Sequence, residues 1–394
     1  MSAKKISLTI LLLGILSLSA CEFPRNPAQE DALVGSEATT LTATAGVLAA
    51  SWTPSPTVDG ETTQPTPEPT PQSTTNVPIG IDNVDQIAVQ TRIESDLNAA
   101  FSALDLSPDG RYLAFAQRGD PQLDIRVWDL QEGQLLQLLD FHTANVSDVV
   151  FSPDGEWLAS CSLNGEVALW EVGSWDLVNS ISTDKRGASA LAFSPDSRLL
   201  AVGGVRNQLG VWTVADLERV NYFEWAGPYP VGTIIFTADG SQYYADTGYA
   251  DVTARNTADG ELVQSFRGEA CIGGFDLSSD ESRLAYSSQC SDGYAPHEPL
   301  AAIAVRDIAS GDALVYGDRR DTSTILYYTA DDTLILTNSS ATLRFWDARD
   351  GSLVDQLPVG EYYFEFMLSD DGSLLIIGGP GGKILIYAVE SPAE

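Results

Sequence analysis

Positive charge is what this chain has least of for its size. Across 394 residues, 21 Lys and Arg stand against 55 Asp and Glu, a net charge of −34. A chain so acidic lacks the basic face that nucleic-acid phosphates require, so no nucleic acid is expected as a partner. A polybasic grip on anionic lipid is excluded for the same reason. Histidine is scarce, at two, and cysteine numbers four. Structural zinc needs four nitrogen or sulfur ligands held close together, so no metal centre is expected. A histidine-based triad has only His142 and His297 to draw on. Gly-x-Ser-x-Gly, His-Glu-x-x-His, the phosphate loop and the Asp-rich calcium loop are all missing. The chain is therefore expected not to be an enzyme and to need no cofactor. What it does have is apolar material, 44% of its residues, enough for a large core.

The N-terminus carries an address. Lys4 and Lys5 precede an uncharged apolar run of 15 residues, Ile6 to Ala20. That is short of the roughly 20 residues a spanning helix needs, which suits a removed signal. The run ends in Leu18-Ser19-Ala20-Cys21, which resembles the bacterial lipobox. The resemblance implies cleavage before Cys21 and diacylglycerol on its thiol, with enough acyl chains for stable anchoring. Residues 1–20 are thus expected to be a lipoprotein signal peptide. The mature protein is expected to be exported and lipid-anchored at the outer face of a bacterial cell membrane, or facing a periplasm, in an oxidising space. Residues 21–78 read as a disordered linker. No Lys or Arg falls between Arg25 and Arg92, and residues 51–78 hold seven Pro and eight Thr. Such a stretch cannot bury apolar surface and tends to polyproline II, a stiff spacer.

From about residue 79 to 394 the chain repeats. Seven segments share an apolar strand, a Ser-Pro-Asp-Gly-like turn and a second apolar strand. The turns begin at Ser107, Ser152, Ser194, Thr237, Ser278, Thr329 and Ser369, at intervals of 45, 42, 43, 41, 51 and 40 residues. Pro presets φ, Asp accepts a local backbone hydrogen bond, and Gly takes the positive φ. A third strand follows, as in Val127-Trp128-Asp129, Leu169-Trp170-Glu171 and Phe345-Trp346-Asp347, then a fourth after a Gly-containing turn. Four short strands at a period near 43 residues spell a propeller blade.

These motifs resemble the WD-repeat β-propeller family, with two Trp-Asp dipeptides, at 128–129 and 346–347. The resemblance implies an all-β, seven-bladed propeller that acts as a non-catalytic binding scaffold for a protein or peptide. It departs from the family in lacking the opening Gly-His, which only Phe141-His142 approaches, so the buried Asp-His-Ser-Trp network is not expected to be complete in any blade. Arg255 and Arg306 stand where blades 4 and 5 should carry Trp. The last unit ends after three strands, so Gln86–Ile93, which alternates like an outer strand, is expected to close blade 7 beside Lys383–Ala388.

Candidate sites follow from that frame. The rim made by the loops between second and third strands and between blades should hold Trp225, Tyr229, Tyr249, Tyr294, His297, Arg319, Arg320 and Tyr362. Aromatics and Arg on a rigid rim anchor protein partners, or else pack loop against loop. The alternative function is a hydrolytic, carbohydrate-active propeller using paired carboxylates in the central channel. Cys161 reads as a small buried hydrophobe. Pairing through the turn at 278–281 brings Cys271 opposite about residue 289, so Cys271 and Cys290 are either bridged or two free thiols. Arg118-Gly119-Asp120 and Gly378–Gly382, which mimic an adhesion tripeptide and a phosphate cradle, are expected to be blade turns.

Overall fold

Mostly apolar runs in the inner strands, such as Val146–Phe151, give strands that are buried on both faces, and such strands need a neighbour on each side. The computed structural model of the protein satisfies this with seven antiparallel four-stranded sheets arranged in a ring, a seven-bladed β-propeller. It describes residues 77–95, 99–120, 122–183, 187–205, 208–224, 230–246, 251–267, 272–288, 303–317, 325–339, 341–359, 365–379 and 381–389. No α-helix occurs among them. Blades 1 to 6 are simple meanders that begin at Phe101, Val146, Ala188, Ile234, Ile272 and Leu326.

Blade 7 is built differently. Its three strands Glu365–Leu368, Leu374–Gly378 and Lys383–Val389 are completed from the other end of the chain by Ile87–Glu94. Ile87 pairs with Val389, Ile93 with Ile384 and Glu94 with Lys383, with an irregularity between Val89 and Thr91. The expected closure is therefore observed. A single 3-10 turn, Val84–Gln86, leads into it.

Burial grades outward through each blade. The first strand of blade 2, Val146–Phe151, is buried throughout, whereas the outer strand of blade 1, Gln134–Leu139, is exposed except for Leu139. The apolar side chains gather into seven clusters, and each cluster spans one junction between neighbouring blades. Val149, Phe151 and Leu158 of blade 2 pack on Ala114, Ile125 and Val127 of blade 1. On the opposite face of the same sheet, Val150, Ala159 and Cys161 pack on Leu191, Leu200 and Val202 of blade 3. Cys161 is a fully buried free thiol in the strand Trp157–Ser162, as expected. At the closing junction Ile93, Ile384 and Ile386 meet Phe101, Leu113 and Phe115. No blade owns a core; the junctions do.

Candidate functional site

Antiparallel meanders place the turns between first and second strands, and between third and fourth, on one face of the ring. The loops between second and third strands, and between blades, form the other face. All eight expected rim residues, Trp225, Tyr229, Tyr249, Tyr294, His297, Arg319, Arg320 and Tyr362, lie outside the described residues, as do Cys21, Cys271 and Cys290. What is described of that rim is most complete at blade 2. There the inter-blade loop locks onto the next loop. The Thr143 N–H donates to Glu166 at 2.8 Å, the Thr143 hydroxyl to the same carboxylate at 2.6 Å, and the Asn164 amide to Thr143 Oγ1 at 2.8 Å. Burial pushes the Glu166 carboxyl up, but the Thr143 bonds, together with Asn164 and His142, outweigh it and hold the group below its usual range.

Beneath that loop sits a buried polar chain. His142 Nε2 lies 2.8 Å from Ser160 Oγ, and the Trp170 indole donates to the same oxygen at 3.0 Å. The fourth place is taken by Glu166, whose carboxylate stays 3.7 Å from His142 Nδ1, beyond hydrogen-bonding range. Blade 2 thus assembles three of the four expected partners. Blade 6 keeps two, with Trp346 donating to Thr337 at 2.9 Å. In blade 4, where Arg255 stands for Trp, its guanidinium donates to the Gly260 carbonyl at 2.8 Å and lies 3.7 Å from the Phe223 ring centroid. In blade 5 Arg306 contacts the Tyr286 hydroxyl at 3.3 Å. Arg therefore spans the space left by Trp rather than leaving it empty.

The adhesion-like tripeptide is not presented to a partner. Asp120 is buried in an ion pair with Arg126 at 2.6 Å, and the side chains are 1% and 3% exposed. Nearby Asp124 has its pKa raised, first by burial and then by Asp120 and Asp140.

The inner strands carry four acids not singled out from the sequence: Asp105, Asp148, Asp276 and Glu365. Three of them clamp one blade to the next. Asp105 accepts the Phe151 N–H of blade 2 at 2.5 Å, Asp148 the Leu191 N–H of blade 3 at 2.7 Å, and Asp276 the Tyr328 N–H of blade 6 at 2.9 Å. All four act electrostatically on Tyr327, whose hydroxyl is pushed well above its ordinary value, first by burial. Glu365 is raised to about 8 by burial, with Asp148 adding to the rise and Arg118 opposing it. The only sequence signal is that Asp105, Asp148 and Asp276 fall inside mostly apolar first strands, whereas Glu365 opens its strand. Among the described residues no three His, Cys, Asp or Glu side chains are grouped to hold a metal ion, and no helix is long and apolar enough to cross a membrane.

Comparison with known proteins decides what kind of repeat this is. Residues 133–171 match the family model WD40: WD domain, G-beta repeat. The matched WD repeat runs from the outer strand of blade 1 through the third strand of blade 2, so the sequence repeat is offset by one strand from the structural blade. That offset is why a strand from before the first repeat is needed to finish the last blade. A 64-residue stretch is 39% identical to Target of rapamycin complex subunit wat1 of Schizosaccharomyces pombe, covering 16% of this chain and 19% of that protein. A 75-residue stretch is 28% identical to Cilia- and flagella-associated protein 52 of Sus scrofa, covering 19% of this chain and 12% of that protein. The matched segments thus span about a fifth or less of either relative's length.

Proposed function

We propose that this protein is a membrane-anchored, extracytoplasmic WD-repeat propeller that recruits a protein or peptide without catalysing a reaction. The observation that carries the reading is the ring itself. Seven blades with a WD repeat form a rigid platform, and three of the four acids on the inner strands are engaged in holding it together. The names of the relatives, a complex subunit and an associated protein, suit an assembly role. The anchor in this reading is the lipid on Cys21, and the recruiting surface is the rim bearing Trp225, Tyr229, Tyr249, Tyr294, His297, Arg319, Arg320 and Tyr362. Capture of partners by the full chain, repeated with Trp225→Ala and Arg320→Ala, tests the surface. Partner recovery should fall at least tenfold in both variants, and unchanged recovery removes the rim assignment. Cys21→Ser tests the anchor: the variant should leave the membrane fraction, and retention there refutes lipid attachment.

One observation favours a second reading as a carboxylate-dependent hydrolase. Burial raises the Glu365 pKa to about 8, with a smaller rise from Asp148, and a carboxylic acid kept protonated in this way suits the acid member of a carboxylate pair. Glycoside turnover abolished by Glu365→Gln would establish that reading. Absence of turnover by the parent across a panel of glycosides would leave the scaffold.

A further inference from the structure

Each blade has a four-residue turn between its first and second strands, and these turns follow one another around one face of the ring. The fourth residue takes positive φ in all seven. Four are glycines, at 110, 155, 240 and 372, and three are not: Ser197 at φ 60°, Glu281 at 58° and Asp332 at 57°. A side chain in the left-handed region is strained, so each of the three needs a compensating interaction. In every case the side chain reaches back to the turn of the preceding blade. Ser197 Oγ accepts the Asp154 N–H at 3.1 Å. The Glu281 carboxylate accepts the Ala238 N–H. The Asp332 carboxylate accepts the Ser279 N–H with both oxygens at 2.8 Å, and the Ser279 hydroxyl as well.

At two junctions the second turn residue of the preceding blade, Ala238 or Ser279, gives its N–H to an acid of the next blade, whereas Ala330 and Asp370 are followed by glycine, at Gly372 and Gly110. Where that residue is Pro108 or Pro195, which has no N–H to give, the next blade supplies Gly155 or Gly240; after Pro153 the next blade supplies Ser197, which takes the N–H of the third turn residue, Asp154, instead. A Cβ at those glycines would lie 3.8 and 3.7 Å from the proline ring. At the sixth junction a Cβ on Gly372 would come within 2.8 Å of Ala330 Cβ, a close fit that only Gly allows. At the seventh, between blades 7 and 1, a Cβ on Gly110 would meet nothing within 4 Å.

We propose that these turns form a neighbour-matching seam. The second or third position of one turn and the fourth position of the next are fitted as pairs from blade 1 through to blade 7. The seam stops at the junction that the N-terminal strand closes instead. The acids Glu281 and Asp332 are therefore positioning residues that fasten blades 4, 5 and 6. Two of those, blades 4 and 5, carry Arg in place of the buried Trp. The strain at Glu281 and Asp332 is maintained by the blade before each, so either residue is favourable only next to a turn with an amide to offer.

A thermodynamic cycle in the full chain separates this from a local turn preference. The parent, Ala238→Pro, Glu281→Gly and the double variant are compared by melting temperature, and the parent and Glu281→Gly also by hydrogen exchange of the Ala238 amide. In the parent background Glu281→Gly should lower Tm and speed exchange of the Ala238 amide at least tenfold, although glycine suits the backbone better. In the Ala238→Pro background the same change should raise Tm, because it recreates the Pro–Gly pairing of Pro195 and Gly240. The double variant reproduces a pairing already present in the ring, so it keeps the test open should a single variant fold poorly. A Tm change of the same sign in both backgrounds, or an Ala238 amide indifferent to Glu281→Gly, overturns the seam.

Discussion

His142 and Asp246 are buried groups whose titrations pull stability in opposite directions. Burial lowers the His142 imidazole to about 4, and the attraction of Glu166 offsets this only in part. The unfolded chain, with histidine near its ordinary 6.5, then binds more protons than the folded one between those values. The His142 contribution is fully present above pH 6.5 and is lost as pH falls toward 4. Asp246 behaves in reverse. Burial raises it to about 7, against the N–H groups of Gly232 and Thr233 that it accepts at 2.7 and 3.1 Å. The folded state keeps its proton where the unfolded state has released it, so Asp246 costs stability as pH rises from about 4 to 7. One proton held by only one of the two states changes stability by about 1.4 kcal/mol for each pH step of one, so each effect amounts to about 2 kcal/mol between pH 5 and 7. In the parent they nearly cancel. Relative to the parent, lowering the pH from 7 to 5 should therefore favour His142→Gln and disfavour Asp246→Asn, by about 2 kcal/mol each. Chemical denaturation of the three proteins at both pH values measures this. Parallel pH profiles for all three would show that neither group titrates as its burial demands.

The outer strand of blade 7 is the element on which the ring depends, and its packing shows what the sequence can and cannot announce. Ile93 is 2% exposed and sits between Ile384 and Phe101, so it ties blade 7 to blade 1. Truncating such a residue removes apolar contact and leaves a cavity, so Ile93→Ala should cost about 2–5 kcal/mol. The same truncation at Ile87, on the same strand but only partly buried, should cost less. Chemical denaturation of both variants makes the comparison, and equal losses at the two positions would mean that closure does not run through Ile93. Strand alternation at Ile87–Ile93 was legible because its period is two and because the count of strands in the last repeat fell one short. The inner acids were not legible in the same way. Asp105, Asp148 and Asp276 look like errors in apolar strands until the neighbouring blade brings a backbone N–H to each, and that neighbour is more than forty residues away. Arg255 was equally opaque. Its guanidinium fills the Trp place only because Phe223, from the blade before, offers a ring to lie on. The aromatic rim, read from loop composition and the family resemblance, falls outside the described residues and so remains a proposal.

On the scale of the whole molecule, 55 acidic residues are folded with 21 basic ones, and much of the acid is placed by the fold rather than spread by chance. Asp109, Asp154, Asp196, Asp239, Asp280, Asp331 and Asp371 each take a hydrogen bond from the Ser or Thr that opens their turn. These bonds make the carboxylates local necessities, yet they bring seven like charges onto one face of a ring. The charge is thus paid for elsewhere, by apolar clusters at all seven junctions that separate only if neighbouring blades part. Repulsion across the face is long-range and exposed, so salt should relieve it. Raising ionic strength from about 0.01 to 0.15 M shortens the screening length from about 30 to 8 Å, and Tm should rise over that range. The junctions are continuous around the ring, so the rise should appear as a shift of one cooperative transition rather than the emergence of a second. Calorimetry across a salt series checks both. A Tm that falls with salt would mean that attractive ion pairs such as Arg111–Asp129 outweigh the repulsion, and two separate transitions would mean that some blades fold without their neighbours.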